Sequence, residues 1–162
     1  MARYEMKQKV WAWKDDFVIR DDVNVEVFRV KSKAFSWGHQ LAFEDLVGTE
    51  LAFIRQKLMT WGPTYEIERG GVTVATVKKK LMSFRPHFDV ECTDGAAVKV
   101  DGNFIEHEYA IERDGSTIGT VSMAWFSMSD CYGIEVADRE DPVFVLALAV
   151  VVDMVCHGDK DD

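Results

Sequence analysis

The feature that most constrains this chain is a run near its end, Val143-Phe144-Val145-Leu146-Ala147-Leu148-Ala149-Val150-Val151-Val152, ten residues without a polar side chain. A helix on a protein surface carries a polar stripe, and this segment has none. As a helix it must be buried on every side, as the axis of the molecule. Three readings compete. The six valines between Asp141 and Gly158 favour a strand, because β-branched side chains suit an extended backbone. A membrane span needs about 20 apolar residues, and Asp153 interrupts this run after ten. The punctuation favours a buried core helix over residues 142–157. Asp141 suits an N-cap, Pro142 the first helical position and Gly158 the C-terminal cap. From Pro142 to Cys156 that helix measures about 22 Å, long for a strand.

The 162 residues, 48% hydrophobic and 29% charged, suffice for one globular domain with a real core. We expect that domain over residues 1–158, followed by a disordered acidic tail over 159–162. The charged start, Met1-Ala2-Arg3-Tyr4-Glu5-Met6-Lys7, has no apolar signal core, which predicts a cytoplasmic protein. Cys92, Cys131 and Cys156 are odd in number and widely spaced, so a reducing compartment and core packing are expected.

Everything before the helix alternates apolar and polar residues between turn signals, which predicts about a dozen short strands. Val23, Val25 and Val27 alternate with their neighbours, and Phe104 to Ile111 does the same. Turns are expected at Asp15-Asp16, Asp21-Asp22, Val47-Gly48, Gly70-Gly71, Asp94-Gly95, Asp101-Gly102 and Asp114-Gly115. Tyr65–Val77 repeats as Tyr109–Val121, with eight of thirteen positions identical at an offset of 44. A fainter echo begins at Phe43. Repeated antiparallel hairpins suggest a closed barrel, which leaves no exposed edges. A barrel of about eleven or twelve strands has room for an axial helix. The fold class is therefore mainly β (α+β): a closed antiparallel barrel of about 12 strands enclosing a C-terminal hydrophobic helix.

The net charge of −9 hides an asymmetry. Arg55 to His87 carries +5, and Phe88 to Asp162 carries −13. The acidic whole disfavours nucleic acid at long range. A local basic face still suits an anionic headgroup. Alternation places Lys78 and Lys80 on one side, outside if Val77 points in. Arg55 and Lys57 stand on a preceding strand, and Arg85 lies just beyond. These five are the candidate ligand-binding residues. Interfacial anchoring requires exposed aromatics beside them, and Trp61 and Phe84 are the candidates, although core or turn packing is the commoner role of such residues. Trp11, Trp13, Trp37 and Trp125 are expected to fill the space between wall and helix.

Signatures of chemistry are absent: no nucleophile elbow, P-loop, His-Glu-x-x-His or dinucleotide fingerprint. His39, His87, His107 and His157 are scattered, and none has a second ligand at zinc spacing. No catalytic residue, metal or cofactor is assigned. Glu106-His107-Glu108 reads as a strand with two solvated carboxylates and a partly buried imidazole.

Several segments resemble the LURP-one-related proteins. They are Met6-Lys7-Gln8-Lys9, Asp16-Phe17-Val18-Ile19-Arg20-Asp21, Phe28-Arg29-Val30, Lys33-Ala34-Phe35-Ser36, Phe53-Ile54-Arg55-Gln56-Lys57-Leu58 and Pro63-Thr64-Tyr65-Glu66-Ile67. Val77-Lys78-Lys79, Phe104 followed by His107-Glu108-Tyr109, Ser129-Asp130-Cys131-Tyr132-Gly133-Ile134 and the closing helix continue the match. The resemblance implies a tubby-like fold: a closed barrel of about twelve strands around the C-terminal helix. It links the chain to tubby-like proteins, some of which bind phosphoinositides, and to phospholipid scramblases. It brings no catalytic residue set.

Three functions stay open: a binding module for an anionic phospholipid or phosphorylated small molecule; a protein-interaction or self-associating scaffold; and an enzyme built on Glu106, His107, Glu108 and His87. With the lumen filled, any ligand is expected at a rim or on the outer wall.

Overall fold

The computed structural model describes residues 1–11, 14–33, 37–80, 86–123 and 131–157. Phe84, Arg85, Trp13, Trp125, Gly158, the tail over 159–162 and parts of two resemblance segments (34–36 and 129–130) lie outside them.

The described residues form twelve strands and one helix. The strands are β1 (Ala2–Trp11), β2 (Lys14–Asp21), β3 (Glu26–Ser32), β4 (Gln40–Asp45), β5 (Glu50–Gln56), β6 (Thr64–Arg69), β7 (Val72–Lys80), β8 (His87–Cys92), β9 (Ala97–Asn103), β10 (Glu108–Arg113), β11 (Ser116–Ser122) and β12 (Cys131–Val136). Each pairs antiparallel with its sequence neighbours, and β1 closes on β12 with Tyr4 opposite Ile134. The helix α1 (Pro142–His157) runs inside.

Alternation builds the wall. Ile19, Phe43, Ile54, Ile67, Ile111 and Ile134 are fully buried and face the helix, while their strand neighbours carry the charges. Every residue from Val145 to Val151 is wholly inaccessible to solvent. The run is therefore a core helix rather than a strand, and no helix among the described residues is long and apolar enough to cross a membrane. Asp141 is the N-cap: its Oδ1 accepts from Val143 N at 3.0 Å.

The sequence repeat is a structural repeat. In β6–β7 the register slips by one residue after Ile67, and in β10–β11 after Ile111, its partner at offset 44. The same bulge follows Phe43 in β4–β5 and Ile19 in β2–β3. The extra residue is apolar each time (Val27, Leu51, Val74, Ile118) and packs against the core. A bulge raises local twist and curls a sheet, so the repeat is a device for closing the barrel.

Three sequence expectations fail locally. Asp15-Asp16 and Asp101-Gly102 lie within strands rather than turns. Gly102 is required at its place because a Cβ there would sit 2.6 Å from Tyr109 Cα, its cross-strand partner. Val23 and Val25 are not alternating strand residues. They belong to an exposed turn whose amides donate to Asp21 Oδ1.

Tight turns gather at one end of the barrel. The longer connections gather at the other, where α1 ends at His157.

Candidate functional site

Two regions of the loop end carry chemistry. The first is the wall predicted from charge. Val77 points inward, so Lys78 and Lys80 face outward on β7, as alternation requires. Arg55 stands on β5, and Lys57 follows it. Between the two groups lies β6, whose Glu66 and Glu68 also face outward. Each described candidate cation meets a carboxylate: Arg55–Glu68 at 3.9 Å, Lys57–Glu66 at 3.8 Å, Lys78–Glu91 at 3.4 Å and Lys80–Asp89 at 3.7 Å. The four cations share one stretch of wall, interleaved with acids. Such exposed pairs contribute about 0–1 kcal/mol each and yield readily to a stronger anion.

Beside them the rim is apolar. Met59 and Trp61 are fully exposed, Trp37 is 87% exposed, and Leu58 is half exposed. Trp37 is thus a corrected expectation: it does not fill the lumen, and Trp61 is neither core nor turn packing. The two loops that bear them are tied together. Gln56 N donates to His39 O at 2.8 Å, His39 N donates to Gln56 Oε1 at 3.0 Å, and Leu58 lies against Gly38. Arg55 and Lys33 both lie over the Phe53 ring just below.

The second region is the mouth of the lumen, and charge gave no signal of it. Asp153, on the last turns of α1, is 3% exposed. Its Oδ1 lies 3.0 Å from His107 Nε2. His107 is not on a strand: the chain turns over residues 104–107, and His107 has φ +53°. The alternation expected from Phe104 therefore begins only at Glu108. The His107 ring stacks on Tyr132 at 4.5 Å and on His157 at 4.2 Å. His157 Nε2 donates to Phe104 O at 2.8 Å. The histidines read as scattered are thus partly assembled by the fold.

Burial pushes the Tyr109 phenol well above its ordinary pKa, and the Asp153 charge adds to the shift. Tyr132 is raised for the same two reasons. Its hydroxyl is directed at Met6 Sδ, 3.0 Å away, and its approach to the Asp153 carboxylate adds to the shift. Burial also raises the Cys156 thiol, with the Lys79 ammonium opposing and Asp153 adding.

The described contacts of Glu106, His107, Glu108 and His87 run to different groups. Glu106 lies in the exposed turn. Glu108 accepts from Ser122 Oγ at 2.9 Å and Met123 N at 3.1 Å, and His87 faces Asp89 at 3.4 Å.

The fold defines a class: a β-barrel closed around its own C-terminal helix. The chain belongs to the LURP-one-related family, whose model matches residues 2–153. It is 37% identical over 162 residues to the uncharacterized protein YxjI of Bacillus subtilis, covering 100% of this chain and 98% of that one. A crystal structure of an Arabidopsis thaliana protein shares the fold, with a TM-score of 0.68 at 19% identity over 94% of this chain and 91% of that chain.

Proposed function

We propose that this protein is a non-enzymatic binding module that docks on an anionic lipid surface through its loop-end rim. The observation that carries the reading is that Trp37, Met59 and Trp61 are large and exposed, on two loops joined at His39 and Gln56, the residue between Arg55 and Lys57 in the chain. Aromatic rings at a membrane interface gain from burial of the ring while adjacent cations meet phosphate. The carboxylates that now hold those cations are weak competitors for a phosphorylated headgroup. The kinship with tubby-like and scramblase-like folds that the family resemblance implies agrees with this chemistry.

Co-sedimentation with acidic and with zwitterionic vesicles, at low and high salt, tests the proposal. Pelleting with acidic vesicles that weakens with salt supports it. A protein that stays in the supernatant with acidic vesicles at low salt ends it.

A second reading is favoured by the charge pairing itself. Cations neutralised by their own carboxylates, on a chain of net charge −9, suit an apolar protein contact. Self-association through the rim would appear in light scattering as a dimer that Trp61→Ala dissociates.

A further inference from the structure

We propose that the mouth of the lumen is a transition-metal site, with His107, Asp153 and His157 as protein ligands to one divalent ion of the zinc class. The argument starts from Asp153. A carboxylate 3% exposed in an otherwise apolar helix demands partners on both oxygens. Oδ1 has His107, whereas Oδ2 has no hydrogen-bond partner among the described residues. Two more buried polar atoms nearby are in the same condition, the Tyr109 hydroxyl and His107 Nδ1. An unpartnered oxygen on a buried carboxylate indicates a further polar occupant beside it.

The donor set identifies its class. One ligand atom from each of His107, Asp153 and His157 lies within 4.8 Å of the others. Two imidazoles and one carboxylate suit zinc, cobalt or nickel rather than calcium or magnesium, which prefer oxygen. The tautomer of His157 is already set: Nε2 carries the proton donated to Phe104 O, which leaves the Nδ1 lone pair for a metal. A ligating histidine whose other nitrogen is held by a backbone carbonyl is the usual outer-shell arrangement. Three protein ligands leave a fourth position for water or an incoming donor.

The rings now stack with an interplanar angle of 15°. Lone pairs in parallel planes do not converge on one ion, so binding requires a rotation. His157 is partly exposed in the last helical turn, where that rotation meets least resistance. His107, with a side chain 17% exposed, opens the path from solvent. On binding, neutral His107 changes tautomer, its proton passing from Nε2 to Nδ1, and the ion takes the vacated place beside Asp153 Oδ1. This site shares no residue with the Trp37–Trp61 rim, and the proposal does not rest on lipid docking.

The test is titration of chelator-treated full-length protein with Zn2+, followed by calorimetry, and with Co2+, followed by visible absorption. The expected result is one ion per chain and an intense Co2+ spectrum of low coordination number. His157→Gln should weaken binding about tenfold or more. It lies at a helix end, and circular dichroism reports whether the fold is intact. Asp153→Asn should abolish binding. The control His39→Gln, outside the cluster and held against Gln56, should bind as wild type. Absence of binding, or wild-type binding by a folded His157→Gln, overturns the proposal.

Discussion

Gly119 on β11 lies directly against Val145 of the central helix: a Cβ built on the glycine would sit 2.7 Å from Val145 Cγ1. The wall and the helix are in contact there with no room for a methyl group. Gly119→Ala should destabilise the protein by about 1–3 kcal/mol, the usual cost of overpacking. The double variant Gly119→Ala/Val145→Ala should recover part of that loss. Urea unfolding of the four proteins of the cycle measures the coupling. Additive effects would place the helix farther from β11 than described.

The loop before the helix is held by equivalent arginines of the two repeats. Arg69 pairs with Asp141, and Arg113 pairs with Glu140 at 2.9 Å. The offset between Arg69 and Arg113 is the 44 of the repeat. Asp141 also caps α1 through its other oxygen. Asp141→Ala removes both contacts and should cost about 1–2 kcal/mol. Glu140→Ala removes only a partly exposed pair and should cost less than about 1 kcal/mol. Thermal unfolding of the two variants gives the order.

How much of this was legible in the sequence depends on the kind of information each residue carries. Period-two alternation and the apolar run are local signals, so the barrel, its strand number and the buried helix were readable. The repeat at Tyr65 and Tyr109 gave the hairpins, and their bulges follow from it. Asp101-Gly102 misled because a turn signal and a crowded strand glycine look alike until Tyr109 is placed opposite. Lys78 and Lys80 were placed correctly, but their pairing with Glu91 and Asp89 is a cross-strand fact. The His107–Asp153–His157 cluster spans residues far apart in the chain. Its one visible trace was Asp153 and His157 at helical i, i+4 spacing, with Asp153 interrupting an apolar helix. Trp37 and Trp61 were misjudged because an exposed and a buried tryptophan have the same letter, and only the loop end shows which they are.

The phenols at the lumen mouth set the alkaline limit of stability. Burial raises Tyr109 and Tyr132 above the ordinary value of about 10. Between that value and the folded-state pKa, the unfolded chain has lost protons the folded chain keeps. Stability is therefore fully present below about pH 10 and falls as pH rises further. Tyr109→Phe removes one such group and an unpartnered hydroxyl. It should flatten the alkaline decline and change stability at neutral pH by less than about 1 kcal/mol, in either direction. Denaturant midpoints across the neutral-to-alkaline range check both. A large loss at neutral pH would show that the Tyr109 hydroxyl has a partner.

Trp61 separates surface recognition from folding. Its side chain is fully exposed, so Trp61→Ala removes no core contact and should alter stability by no more than about 0.5 kcal/mol. Docking on a lipid surface would nonetheless lose its largest apolar anchor. Trp61→Ala should pellet poorly with acidic vesicles while unfolding at the wild-type midpoint, and Trp37→Ala/Trp61→Ala should pellet least. Lys80→Gln, on the outer wall at the end of β7, should lose less than Trp61→Ala if insertion dominates. It should lose as much or more if the headgroup is read on the wall. Equal pelleting of Trp61→Ala and wild type would remove the rim from the binding surface and leave the four wall cations as the remaining described candidates.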